Sequence, residues 1–157
     1  MHTNQKLHIS STSLEQSLAP GRKLGQAAQS GQLNEQVGTL GGGKTVIAKG
    51  IAQGLGITQT ITSPTFSVQR SYAIPGGGYL EHFDLYRLED VDIIEQSIKE
   101  ILADKTNIVL IEWSKPFIEK LRSDRLIITI QWVNEDTRDI TINATGPVST
   151  RALADIA

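Results

Sequence analysis

The chain contains no cysteine, which excludes disulfides, thiolate catalysis and cysteine-ligated zinc or iron–sulfur sites. It also lacks a strong charge of either sign. A formal net charge of −2 gives no electrostatic pull toward bare nucleic acid or an anionic membrane. No apolar run is long enough to span a bilayer. The first residues, Met1-His2-Thr3-Asn4-Gln5-Lys6, lack the apolar stretch of a secretory signal, so a cytoplasmic location without membrane association is expected. Internal repeats and low-complexity linkers are absent as well. What remains is 157 residues, 39% hydrophobic and 20% charged, ordinary values for one soluble domain with its own core.

The most informative segment is Gly38-Thr39-Leu40-Gly41-Gly42-Gly43-Lys44-Thr45, which fits the phosphate-binding pattern Gly, any four residues, Gly-Lys-Ser/Thr. Glycines let backbone N–H groups curl round phosphates. Lys44 would reach the terminal phosphates, and the Thr45 hydroxyl would hold a magnesium ion. A helix should follow, because its N-terminal partial positive charge also favours an anion. Val46 to Gly56 has helical spacing, with Gly54 and Gly56 as C-terminal stops. The strand that should precede the loop is Leu33-Asn34-Glu35-Gln36-Val37, and three of its five residues are polar. A central parallel strand normally reads as a near-continuous apolar run, and an unpaired buried Glu35 would cost several kcal/mol, on the order of the whole stability of a small domain.

Around this loop the pattern alternates. Lys6 to Ile9 suggests a first strand, and Thr12-Ser13-Leu14-Glu15 a capping box opening a helix. Pro20-Gly21 should kink or split that helix at about 3 kcal/mol, with the pattern resuming at Arg22 and running to Gln29. Thr58 to Thr62 is β-prone. Phe66 to Ile74 and Tyr79 to Leu85 read as strands joined by the turn Pro75-Gly76-Gly77-Gly78. Asp90 to Leu102 is an acidic amphipathic helix. Ile108-Val109-Leu110-Ile111 is the clearest buried strand. Leu126 to Val133 and Arg138 to Ala144 form a second antiparallel pair, and Val148 to Ala157 a short helix or tail. The sum is an α/β sandwich with a mixed sheet.

Hydrolysis needs more than a phosphate loop: magnesium wants further oxygen ligands, and the attacking water must be oriented. Asp84 and Glu112 each close a predicted strand, at the edge where α/β folds bind ligands. Either could instead be a solvated strand-end carboxylate, although an acid ending so apolar a strand as Ile108–Ile111 needs a partner. Ser63-Pro64-Thr65 is a rigid turn that serves either as a nucleotide switch or as an ST-turn without function. His82 is either a general base or a hydrogen-bonded core residue. Trp113 could belong to the core, an interface or the wall of a nucleotide site. The run Glu89-Asp90-Val91-Asp92 reads as a solvated first helical turn.

The phosphate loop together with Ser63-Pro64-Thr65-Phe66, His82-Phe83-Asp84-Leu85-Tyr86-Arg87-Leu88 and Glu112-Trp113 resembles one family, the small ATPase component of bacterial tRNA threonylcarbamoyladenosine synthesis, TsaE. The resemblance runs from about Ser17 to Gly146. It implies a P-loop NTPase-like three-layer α/β sandwich with a mixed, largely parallel central sheet plus antiparallel hairpins. Residues 1–157 would form a single P-loop ATPase domain, with 1–10 and 147–157 peripheral. The implied activity is ATP binding and slow, partner-dependent ATP hydrolysis that resets the modifying complex without transferring the group itself. The implied partners are a threonylcarbamoyl transferase subunit and its paralogous scaffold, with tRNA reached through the complex. ATP and Mg²⁺ are the implied cofactors. On this chain, Gly38, Leu40, Gly41, Gly42, Gly43 and Lys44 would hold the phosphates. Thr45, Asp84 and Glu112 would hold magnesium, and Glu112 would also orient water. Thr65 resembles a switch threonine, Arg138 a family arginine near the nucleotide, and Ser17 stands where a threonine near the base is usual.

The departures are Thr39 for Asp, Gly42 for Ala, the polar strand 33–37 and Pro20. They imply a loosened N-terminal third and weakened ATP affinity. Two other readings remain at this level: a non-hydrolysing scaffold with a decayed loop, and a small-molecule kinase, for which no arginine-rich lid is evident. A GTPase would need an Asn-Lys-x-Asp segment, which is absent.

Overall fold

The computed structural model describes residues 5–38, 44–62, 64, 68–86, 88, 90, 92–113 and 123–156. Seven strands form one mixed sheet: β1 (Gln5–Ser11), β2 (Leu33–Gly38), β3 (Gln69–Ala73), β4 (Tyr79–Asp84), β5 (Ile108–Glu112), β6 (Leu126–Trp132) and β7 (Arg138–Ala144). Their spatial order is β1-β7-β6-β2-β5-β4-β3. Parallel pairing is confined to the centre, where β6, β2, β5 and β4 run together. The flanks β1-β7, β7-β6 and β4-β3 are antiparallel. Four helices occur among the described residues: α1 (Leu14–Gln26), α2 (Lys44–Gly54), α3 (Asp92–Ala103) and α4 (Pro147–Ala154). None of them is long and apolar enough to cross a membrane.

Strand alternation sorts the core into two layers. Leu80, Leu110, Leu126, Ile128, Ile140 and Ile142 join Ile47, Ala48 and Ile51 of α2 on one face. Leu33, Phe83, Val109 and Ile111 meet Ile98 and Leu102 of α3 on the other. The result is three layers with the sheet in the middle, as the resemblance implies. Residues 147–157, expected at the periphery, supply Ala152, Leu153 and Ile156 to the first core, and 5–11 form an edge strand.

Several local expectations shift. The helix cap is Ser13 rather than Thr12: Ser13 Oγ accepts from Gln16 N–H, while Gln16 Oε1 accepts from Thr12 N–H and its hydroxyl. Pro20 neither splits nor ends α1, which is continuous from 14 to 26. Packing overrides the local cost. Gly21 and Gly25 lie on one face of α1, Gly50 and Gly54 on one face of α2, each pair a turn apart. A Cβ on Gly21 would sit 2.7 Å from Ile47 O, and one on Gly50 would sit 2.6 Å from Leu18 O, so only glycine permits this approach. Thr58 to Thr62 is not a strand, and β3 begins at Gln69, the expected start at Phe66 lying outside the described residues.

The polar strand β2 is the central strand of the sheet, and it is formed. Leu33, Asn34, Glu35 and Gln36 are all buried. The conflict resolves through partners that the local sequence does not reveal. Glu35 Oε1 lies 3.7 Å from Arg125 Nε, both side chains being about nine-tenths buried. Gln32 Nε2 donates to Asn34 Oδ1 at 2.7 Å, and Asn34 Nδ2 donates to Val109 O at 3.1 Å.

Candidate functional site

The carboxyl ends of β1, β6, β2, β5 and β4 all reach the same edge of the sheet, as their pairings require. Along this edge lie several of the sequence-predicted residues that are among the described ones. Gly38 ends β2, and Lys44-Thr45 open α2 on the layer facing Leu80 and Leu110. In the parallel register Asp84 pairs with Glu112, and Glu112 with Gln36. Register partners on parallel strands project to the same face. Alternation from Leu80 and Leu110 puts Asp84 and Glu112 on the α2 face. The two carboxylates therefore share one row, at the edge where a helix N-terminus would meet phosphate.

Their surroundings differ. Asp84 is half-buried and accepts from Tyr86 N–H at 3.0 Å. Glu112 is buried, and His82 Nε2, itself buried, lies 3.7 Å from Glu112 Oε1. Immediately beyond, Trp113 takes a left-handed φ of 56°, a conformation costing a bulky residue on the order of 1–3 kcal/mol and concentrated at functional sites. Its ring meets Tyr86 at 4.8 Å between centroids, tilted by 52°. The residues following the two acids thus clasp each other, linking the ends of β4 and β5.

A cleft of about 280 Å³ opens beside α2. Its walls are Ser11, Thr12, Ser13, Leu14 and Ser17 from the β1–α1 junction, Val46 from α2, and Glu135, Asp136 and Arg138 from the β6–β7 hairpin. Ser17 and Arg138, distant in sequence, face one cavity two residues from Lys44. Arg138 is anchored, its Nη1 donating to Asn134 O at 2.7 Å and Thr137 O at 3.0 Å. Ser17 Oγ shares a 2.6 Å hydrogen bond with Ser11 Oγ. Leu14 and Val46 give the cleft an apolar flank, and the other seven lining residues are polar or charged.

Leu40, Gly41, Gly42, Gly43 and Thr65 lie outside the described residues. Among the described residues no three His, Asp or Glu side chains gather as a ready-made metal cage. Two carboxylates on a row beside a threonine-bearing helix start make a sparser oxygen set. That set fits Mg²⁺, which keeps waters and completes its shell from substrate phosphates. Sequence reasoning missed Gln36 as a member of the row, treating it only as an obstacle to a buried strand. It left His82 without a neighbour. The even-numbered alternation of Leu80, His82 and Asp84 against Leu110 and Glu112 was the available signal.

The family model for "Threonylcarbamoyl adenosine biosynthesis protein TsaE" matches residues 11–140. The tRNA threonylcarbamoyladenosine biosynthesis protein TsaE of Bacillus subtilis is 38% identical over 119 residues, covering 76% of this chain and 73% of that protein. The Streptomyces coelicolor protein of the same name is 35% identical over 141 residues, 87% of this chain and 94% of its own length. The crystal structure of YdiB from Bacillus subtilis superposes with a TM-score of 0.80 at 29% identity, covering 99% of this chain and 97% of that one. A match spanning most of the chain, agreeing in sequence and in fold, places this protein in the TsaE family of threonylcarbamoyl adenosine biosynthesis proteins.

Proposed function

We propose that this chain binds Mg-ATP along the carboxyl edge of its sheet and hydrolyses it slowly, in support of tRNA threonylcarbamoyladenosine synthesis by partner subunits. The observation that carries this reading is the shared row of Asp84 and Glu112 on the face of α2, in register on adjacent parallel strands. The cleft between Ser17, Val46 and Arg138 receives the nucleoside. Lys44 and the loop amides hold the phosphates. Thr45, Asp84 and Glu112 are the protein's ligands for Mg²⁺, which when bound neutralises charge developing on the phosphoryl oxygens.

Glu112 has a second task, accepting a hydrogen bond from the attacking water and so aiming it at the terminal phosphate. Thr65 acts as the switch threonine that responds to that phosphate. The partners are a transferase subunit and its paralogous scaffold; ATP turnover here resets their complex, and tRNA is engaged through them. The chain acts in the cytoplasm.

The test is phosphate release from ATP by the wild type and by Glu112→Gln, each with and without the partner subunits. Glu112→Gln should lower turnover by at least about 100-fold, the usual worth of a positioned proton acceptor, while ATP still binds. Equal turnover would contradict the assignment. Phosphate transferred to a small acceptor instead of water would favour the kinase reading, and binding with no turnover in any mixture would favour the scaffold reading.

A further inference from the structure

His82 is a buried ionisable side chain beside Glu112 that the proposed chemistry leaves without a task. It is 1% exposed, and neither ring nitrogen has a hydrogen-bond partner among the described residues. Leaving such a group unsatisfied is costly, and buried polar side chains in native proteins are nearly always paired. The Glu112 carboxylate lies 3.7 Å from Nε2. That separation is too long for a hydrogen bond, and about 0.8 Å of approach would make one. Catalytic hydrogen bonds are often slack without ligand and tighten when it arrives. His82 sits one residue pair behind the Asp84–Glu112 row, on β4 opposite Leu110, with alternation sending it to the same face. It therefore stands behind Glu112, away from the sheet edge where the nucleotide would lie.

We propose that His82 is a positioning residue: its ring carries a proton on Nε2 and donates that N–H to Glu112 Oε1 in a hydrogen bond, fixing the carboxylate for Mg²⁺ and water. The inference rests on the reading of Glu112 as a magnesium and water ligand given above. No proton is transferred; the ring acts as a donor whose rigid anchoring comes from its burial. Donors behind a metal-bound carboxylate typically change metal affinity or activity by about 10–100-fold when removed.

Two measurements decide it. The first is the ring tautomer in the wild type, read from ¹⁵N chemical shifts of His82, which requires no nucleotide. A proton on Nε2 is expected, and a proton on Nδ1 would overturn the proposal. The second is calorimetric titration of Mg²⁺ into ATP-loaded wild type, His82→Leu and His82→Gln, whose amide nitrogen can replace Nε2. His82→Leu should weaken Mg²⁺ by about 10-fold or more, lower kcat more than it changes KM for ATP, and be largely rescued by His82→Gln. Unchanged Mg²⁺ affinity in a folded His82→Leu, or no rescue by a folded His82→Gln, would overturn it. If His82→Leu does not fold, wild-type-like Mg²⁺ affinity in His82→Gln supports the proposal and a tenfold loss there overturns it. Failure of the wild type itself to take up Mg²⁺ with ATP would sink the functional reading above, while the tautomer would still decide the His82–Glu112 contact.

Discussion

Strands β2 and β5 lie side by side at the centre of the sheet, run parallel, and are buried over most of their length, yet they are built from opposite materials. β5 is Ile-Val-Leu-Ile-Glu, with the apolar residues divided between the two cores. Its stability comes from area removed from water, which is non-directional and forgiving. β2 carries Asn34, Glu35 and Gln36, and its burial is tolerable only because specific groups meet them. Arg125 faces Glu35, Gln32 meets Asn34, and Asn34 meets Val109 O on β5 itself. Directional pairing of this kind is lost all at once when one partner goes. The two strands end at different parts of the candidate site: β2 at Gly38, where the proposed phosphate-binding segment begins, and β5 at Glu112.

The contrast can be broken most severely at Arg125. Arg125→Leu removes the cation facing buried Glu35 and should cost about 3–5 kcal/mol in denaturant unfolding, whereas Glu35→Leu/Arg125→Leu together should come within about 1 kcal/mol of wild type or exceed it. A single variant as stable as wild type would show that β2 does not depend on the pair. In β5, Leu110→Ala should cost about 2–5 kcal/mol through the cavity it leaves, and here no second substitution is expected to restore stability by re-pairing. Asn34→Leu removes a donor to Val109 O and an acceptor from Gln32, and should cost about 1–3 kcal/mol.

The smallest effect lies outside both strands, at Glu15 on the surface of α1. The Arg22 guanidinium hydrogen-bonded to it holds its carboxyl below the ordinary 4.5, against the opposing effect of desolvation. A lowered carboxylate stabilises the fold above its ordinary value, and that contribution is lost as pH falls from 4.5 through the lowered one. Thermal melts of wild type and Glu15→Gln should therefore converge slightly in that acidic window, with the difference shrinking in salt.

Much of this architecture is legible in the residues because the signals are local. The Gly-Lys-Thr loop, the apolar run of β5, the turn at Pro75–Gly78 and an acid at each strand end are all read within a few positions. What is not legible is pairing across the chain. Nothing near Glu35 announces Arg125, ninety residues on, so the strand looks untenable and a loosened N-terminal third is the natural expectation. With the partners in place, hydrogen exchange should protect residues 33–36 as well as 108–111, and fast exchange confined to β2 would vindicate the loosening. Pro20 misleads for a similar reason. Its local penalty is visible, whereas the glycine-to-glycine seating of α1 on α2 is visible only as matched spacings, Gly21 and Gly25 against Gly50 and Gly54. The cleft joining Ser17 to Arg138 is likewise a product of sheet order, which brings β1 beside β7.

The account turns on whether Mg-ATP is held between the phosphate loop and the paired carboxylates. Isothermal calorimetry of Mg-ATP with wild type, Lys44→Ala and the double variant Asp84→Asn/Glu112→Gln tests this most directly. A saturable heat in the wild type, abolished in Lys44→Ala and made insensitive to Mg²⁺ in the double variant, is the expected result. Equal heats from all three proteins would contradict it.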